Sequence, residues 1–284
     1  CDVGGKRVFG PSEGGGYVYC DGTGGVPRIT MDNGLTGDSR REVVMSYPII
    51  KTDNGTIVDL KNGIWKDNGY IDQPLKFINL AALNHHSAYC GMTSSVKNYF
   101  GVTDISNGAD PFKGGKLSRD FYNFHAFAFN KWAKGPVPGI MGKEIGFFMN
   151  KIRKADLNIT TAEWVGLVSR TEKPIAHTRA VIASRDPVAL DFHSAKYFLY
   201  SNSGCKHHNP EWKGGPLFQY LSECATEKGL IMNELTTKIH SFDHVIGKLQ
   251  VEKDMYVFGE IDWGADIKTL LKYFLFRFGH NFLN

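Results

Sequence analysis

Between His86 and Gly101 the chain reads His-Ser-Ala-Tyr-Cys-Gly-Met-Thr-Ser-Ser-Val-Lys-Asn-Tyr-Phe-Gly. An imidazole, a thiol, hydroxyls, an ammonium and an amide are gathered between the apolar stretches Leu75–Leu83 and Val96–Val102. If Leu75–Leu83 is a core strand, this polar run follows its carboxyl end, where open α/β sheets bind ligands. Thr93 is placed to cap a following helix. The backbone N–H groups around Ser94–Val96 would favour an anion, because a helix start carries unpaired donors and partial positive charge. Lys97 falls on the first turn, where its ammonium would neutralise a phosphate or carboxylate. His86 titrates near neutrality, which suits a general acid or base or a ligand. The Gly-x-x-x-x-Gly-Lys-Ser/Thr spacing of a P-loop is absent.

A second stretch, Ala180-Val-Ile-Ala-Ser-Arg-Asp-Pro-Val-Ala-Leu-Asp191, reads as a short buried strand handing over to a helix. Asp186 is the expected N-cap and Pro187 the first helical residue, with the helix running through Tyr200. Val188, Phe192, Ala195 and Leu199 form its apolar stripe, and Asp191 borders that stripe. A half-buried carboxylate needs a partner. Lys97 or His177 would serve if the two junctions share one sheet edge. Alternatively, Asp191 ties two loops together by accepting backbone N–H bonds. The expected catalytic set is therefore His86, Lys97 and Asp191, and the expected ligand contacts are Thr93, Ser94, Asn98, Asp186 and His177.

Metal and nucleophile chemistry have weaker footing. His85, His86 and Cys90 offer soft ligands, as do Cys205, His207 and His208. Adjacent residues on a strand point to opposite faces, so the tandem pairs are poorly placed to chelate one ion. His86 and Cys90 remain the metal candidates, and His207 and His208, beside Asn209-Pro210, read as a surface loop. No Cys-x-x-Cys pair supports an iron–sulfur cluster or a zinc ribbon, so the cofactor is unassigned. No Gly-x-Ser-x-Gly elbow supports a serine triad.

Five cysteines are an odd number. Pairing Cys1 with Cys20 and Cys205 with Cys224 would contribute about 3 kcal/mol each and leave Cys90 free. That pattern, with a cysteine at the first position, suits a protein outside the cytoplasm and lipid-anchored through Cys1. Five buried thiols in a reducing compartment is the competing expectation. The charge of +4 is spread among acidic residues with no basic run, which argues against nucleic acid as a partner. No apolar run is long enough to span a membrane.

The elements that must carry these residues can be read from pattern. The start of the chain, 1–37, is rich in Gly with scattered Phe9, Tyr17, Val18 and Tyr19. Strands are expected at Val43–Met45, Ile49–Ile50 and Thr56–Leu60, with a turn at Asp53-Asn54-Gly55. Leu75–Leu83 should be a strand buried on both faces. Phe121–Trp132 and Glu144–Lys154 suit helices, separated by a Pro/Gly-rich loop over 136–143. Asp156–Thr161 and Ala180–Ser184 suit strands, Leu217–Lys228 a helix ended by Gly229. Thr237–Phe242 and Met255–Glu260 read as late strands and Ile267–Phe278 as a helix. The class is α/β: a largely parallel or mixed sheet with helices on both faces, preceded by a Gly-rich β and loop segment. Residues 1–69 form that first segment, a truncated or divergent half, and 70–284 the α/β domain with both junctions.

Taken together the two junctions resemble the domain of unknown function 362 family. The family pattern runs Lys-x-His, then Gly-x-Thr-x-x-x-Lys-Asn-x-Phe-Gly, and later Ala-Ser-x-Asp-Pro-Val-Ala-x-Asp before a helix. The matching positions are His86, Gly91, Thr93, Lys97, Asn98, Phe100 and Gly101, then Ala183, Ser184, Asp186, Pro187, Val188, Ala189 and Asp191. The likeness extends over about 70–235. It departs from the pattern at Asn84, which replaces the Lys, and in lacking the ferredoxin segment of some relatives. The resemblance implies the fold and the site's location more than a reaction. The leading expectation is a pocket for an anionic small molecule or cofactor. The alternatives are a structural or assembly subunit, with a protein partner or self-association, and a metal protein.

Overall fold

The computed structural model describes residues 6–32, 42–86, 90–104, 138–169, 172–227, 240–243 and 248–251. The expected elements at Phe121–Trp132, Met255–Glu260 and Ile267–Phe278, and the helix end at Gly229, lie outside these residues. The chain divides into two compact units, 1–232 and 233–284. The second contributes one described antiparallel pair, β13 (His240–Asp243) with β14 (Lys248–Val251), while the first holds both junctions.

The Gly-rich start folds into β structure. Strands β1 (Arg7–Val8), β2 (Gly16–Tyr19), β3 (Thr30–Asp32), β4 (Glu42–Val44), β5 (Ser46–Lys51), β6 (Ile57–Asp59), β7 (Gly63–Lys66) and β8 (Gly69–Tyr70) succeed one another. Six of them make one sheet in the order β1-β2-β5-β6-β7-β8, while β3 and β4 pair separately. The expected turn at Asp53-Asn54-Gly55 joins β5 to β6 antiparallel. It closes because Asn54 Oδ1 accepts the Thr56 N–H at 3.1 Å and the Thr52 hydroxyl at 2.5 Å.

The second sheet carries the junctions. It comprises β9 (Ile78–His85), β10 (Met92–Thr93), β11 (Leu157–Gly166) and β12 (Ile175–Ser184) in the order β10-β9-β11-β12. β9 and β11 are parallel and both outer pairs antiparallel, so the sheet is mixed. β11 and β12 extend well beyond the expected Asp156–Thr161 and Ala180–Ser184, because each supplies a partner to the other along its whole length. Helix α1 (Ser95–Asn98) runs into a 3-10 turn, Tyr99–Gly101. α2 is Pro138–Lys151, α3 is Pro187–Ser194, and α4 is Pro216–Glu227. After α3 the helix continues as a π-helical turn, Ala195–Tyr200, and a last α turn, Ser201–Ser203.

The structure corrects two expectations. β9 is buried on one face, not both: Asn79 and Leu83 are inside, while Ile78 is 52% and Leu80 65% exposed. Val181 of β12, opposite Thr161 on β11, is also exposed, so this face of the sheet is uncovered and the described helices pack on the other. The Pro/Gly-rich stretch 138–143 is helix, not loop. Pro138 sits in the first turn, where a missing N–H costs nothing. Gly142 and Gly146 are there for contact: a Cβ on Gly142 would overlap the Tyr220 carbonyl, and one on Gly146 the Cys224 carbonyl. The two backbones of α2 and α4 touch along that stripe. Gly142→Ala is therefore expected to destabilise the unit by about 3 kcal/mol despite the better helix propensity of Ala, measured as a shift in urea unfolding.

Candidate functional site

α1 is a short helix whose start is held from outside. Ser94 occupies its N-cap position with no side-chain cap bond. The donors at the start are taken instead by Asp191 of α3: Oδ1 accepts the Ser95 N–H at 2.9 Å and Oδ2 the Val96 N–H at 2.8 Å. Asp191 is completely buried. A carboxylate at a helix start gains from both the unpaired donors and the aligned dipoles. Thus the two junctions meet through one side chain. The N–H groups on which an anion was expected already hold one, and it belongs to the protein.

Beneath this contact runs a chain of amides, buried at Asn79 and Asn158 and reaching the surface at Asn98, that the sequence motifs did not reveal. Asn98 donates through Nδ2 to Asn79 Oδ1 at 2.6 Å and to the Leu80 carbonyl at 2.8 Å. Asn79 in turn donates to Ser95 O at 2.9 Å and to Asn158 Oδ1 at 3.0 Å. Ser95 Oγ donates to the same Asn158 oxygen at 3.0 Å, and Asn158 donates to Ser184 O at 3.3 Å. The chain crosses β9, β11 and β12, and pins the start of α1 to the sheet. An amide set among apolar residues at the start of each strand, Asn79 after Phe77-Ile78 and Asn158 after Leu157, is the signal that could have found it.

The other expected site residues sit in varied surroundings. Lys97 is half-buried, with Nζ 4.0 Å above the centre of the Phe100 ring. His86 is half-buried just beyond β9, its N–H donating to the Gly91 carbonyl at 3.1 Å. Ser94 Oγ bonds Thr160 Oγ1 at 2.9 Å and is fully buried. Thr93 is not the cap: its Oγ1 is buried and has no hydrogen-bond partner among the described residues. Asn98 spends its amide hydrogens on β9. Asp186 caps α3, accepting the Val188 N–H at 2.8 Å and the Ala189 N–H at 3.2 Å. His177 lies elsewhere, on the uncovered face, stacked on Trp164 with its Nε2 2.7 Å from Glu163. Register explains this: His177 is paired with Trp164 across β11 and β12, seven residues from the end of the strand that leads to Asp191.

The cysteines also differ from expectation. Cys20, Cys90, Cys205 and Cys224 form no disulfide, so neither Cys1–Cys20 nor Cys205–Cys224 is bridged. Cys90 is fully buried, donates to the Met92 carbonyl at 3.2 Å, and its thiol is pushed up to about 12 by burial. A protonated thiol is not a metal ligand. Among the described residues no three His, Cys, Asp or Glu side chains cluster as a metal site. No described helix is long and apolar enough to cross a membrane.

One more group forms at the end of β9. His208, expected on the surface, is fully buried. Gly91 brings it there: at φ +76° and with no room for a Cβ, it lets the His207 backbone lie directly on the junction. His208 Nε2 is 2.7 Å from His85 Nδ1, and its Nδ1 is 2.6 Å from Ser203 Oγ. Burial, with His85 and His207 nearby, lowers His208 to about 4. Burial and then Lys196 lower His193 of α3 to about 4 as well. Both imidazoles are neutral in the fold and charge on unfolding below about 6.5. Their contribution is therefore present above that pH and lost as pH falls towards 4, by up to about 3 kcal/mol each. Urea midpoints at several pH values should fall across this window in the wild type. In the His193→Gln, His208→Gln double variant the fall should be shallower. Identical slopes would refute it. Asp21 and Asp156, held below the usual carboxylate range, act at lower pH and do not interfere.

The family model for a domain of unknown function, DUF362, matches residues 52–196. That is half of the chain, and it holds both junctions and the Asp191 contact between them. The chain belongs to the DUF362 family. The match begins earlier than the resemblance over 70–235, at the turn into β6, and ends earlier, in the π-helical turn. The DUF362 stretch thus includes β9, β11, β12, α1 and α3, and stops before Ser203 and His208. No curated protein and no solved structure matches the chain.

Proposed function

We propose that the β9–α1 junction binds an anionic small molecule, with Lys97 as the electrostatic contact and His86 as the group that hydrogen-bonds it or exchanges a proton with it. One observation carries this reading: the Asp191 carboxylate fixes the start of α1 by two backbone bonds, so the turn that bears Lys97 is held against the sheet. Asp191 is then a positioning residue. Because Ser95 and Val96 have given their N–H groups to it, the anion rests on side chains and not on the helix start. Lys97 is partly withdrawn from water, which strengthens its attraction for an anion relative to an exposed lysine. The fixed helix and the half-buried ammonium together support binding; whether a reaction ensues depends on His86.

Calorimetric titration with inorganic phosphate and with succinate tests it on the full chain. Binding of either should weaken by about tenfold in Lys97→Ala, the loss of roughly 1.4 kcal/mol expected for one charge-assisted contact. Lys97→Arg should retain most of it. Affinity for both anions that is the same in wild type and Lys97→Ala would refute the assignment.

A further inference from the structure

We propose that His85, His208 and Ser203 form a neutral proton relay, through which His85 Nε2 exchanges a proton with a ligand at the end of β9 while Ser203 exchanges one with water. The site differs from the Lys97 and His86 pair and does not depend on it. The geometry carries it. Ser203 Oγ, His208 and His85 are joined by two links of 2.6 and 2.7 Å, short enough for a hydrogen in each. His208 is wholly buried between them, and both of its ring nitrogens are used. His85 lies on the helix-covered side of β9, continuing Asn79 and Leu83 by strand alternation. Its Nε2 has no hydrogen-bond partner among the described residues and is not sealed from water. Ser203 is half-buried at the end of the helix, beside exposed Asn202 and Gly204.

A neutral imidazole carries one N–H and one bare nitrogen, so the chain has two complete arrangements. In the first, Ser203 donates its hydroxyl hydrogen to His208 Nδ1, His208 donates from Nε2 to His85 Nδ1, and His85 carries its hydrogen on Nε2. In the second, His85 donates from Nδ1 to His208 Nε2, His208 donates from Nδ1 to Ser203 Oγ, and His85 Nε2 is bare. Passing from the first to the second, Ser203 takes a proton from water and hands its own to His208 Nδ1. His208 passes its Nε2 proton to His85 Nδ1, and His85 delivers its Nε2 proton to the ligand. One proton enters, one leaves, and every relay member ends neutral. The reverse passage removes a proton from the ligand.

Burial suits this task and disfavours the obvious alternative. A nucleophilic Ser203 would need His208 to become a cation, but His208 is fully buried and its second partner is another imidazole, not a carboxylate. A relay needs no cation. The Cys205 N–H donates to Ser203 Oγ at 3.2 Å and holds the hydroxyl in place. Ser203 and His208 lie beyond the part of the chain that matches the family, so the relay couples a family strand to a segment outside that match.

The test is nitrogen NMR of the ligand-free full chain carrying labelled histidine at pH 7. His85 and His208 should both be neutral, with ring nitrogen shifts averaged between the N–H and bare types. Ser203→Ala removes the entry point, and both rings should settle into single tautomers. Ser203→Thr, which keeps the hydroxyl, should restore averaging. Rings locked or doubly protonated in the wild type would overturn the relay, as would averaging that survives Ser203→Ala. The sample contains no anion, so this outcome is separate from the fate of the phosphate and succinate titrations.

Discussion

Glu144→Leu is expected to stabilise the protein by about 2 kcal/mol at pH 7, and by less at pH 4. Glu144 lies on α2, completely buried, and neither carboxyl oxygen has a hydrogen-bond partner among the described residues. Burial alone raises its pKa well above the usual carboxylate range. The folded chain therefore keeps a proton that the unfolded chain releases above about 4.5. A group raised in this way gives its full contribution below the unfolded value, and that contribution is lost as pH rises. Leu has similar volume and no polar atom, so it removes both the pH-dependent loss and the unmet desolvation of an orphan polar group, about 1–3 kcal/mol. The check is urea unfolding of wild type and variant at pH 4, 5.5 and 7. The gap should open as pH rises. A variant less stable at pH 7 would show that Glu144 has a partner in the folded protein. This slope opposes that of His193 and His208, which is why their effect is read as a difference between wild type and the double variant.

Asp191→Ala is expected to destabilise by about 4 kcal/mol, the largest loss at any single site described. Two buried backbone N–H groups lose their charge-assisted bonds. Asp191→Asn keeps one acceptor oxygen and should cost about 2 kcal/mol, because one of the two donors is left unmet. The comparison separates charge from shape, since both variants lose the charge and only one loses the acceptor. Equal losses would mean that the carboxylate acts by its charge alone and not as a two-pronged acceptor. Hydrogen exchange at Ser95 and Val96 supplies a local readout, with protection falling in Ala more than in Asn.

What could be read from the sequence was mostly local. Asp186-Pro187 announced the start of α3 because a cap and a fixed φ act within one turn, and Asp53-Asn54-Gly55 announced its hairpin for the same reason. The accepting role of Asp191 was one of two readings, and only the fold reveals which N–H groups meet it from so far along the chain. β9 misled because apolar residues on its uncovered face look the same in sequence as buried ones. Gly142 reads as a turn residue in a Pro/Gly-rich stretch, whereas its smallness, like that of Gly146, serves a contact with α4. His208 reads as surface because the polar residues beside it, Lys206, His207 and Asn209, resemble a loop. One of its two ring partners, His85, comes from β9, more than a hundred residues earlier.

The π-helical turn Ala195–Tyr200 sets the rotational phase of the last helical turn, Ser201–Ser203. Such a turn holds about one residue more than an α turn, and each residue advances an α-helix by about 100°. A residue lost from it is absorbed as the turn tightens to regular helix, because either kind of turn closes the same full circle, so Ser203 keeps its direction towards His208. The same loss from α3 has no such reserve and swings Ser203 round by roughly a quarter of the circumference. A change of length in α3 thus breaks the proton path without touching any of its members, while one residue fewer in the wide turn spares it.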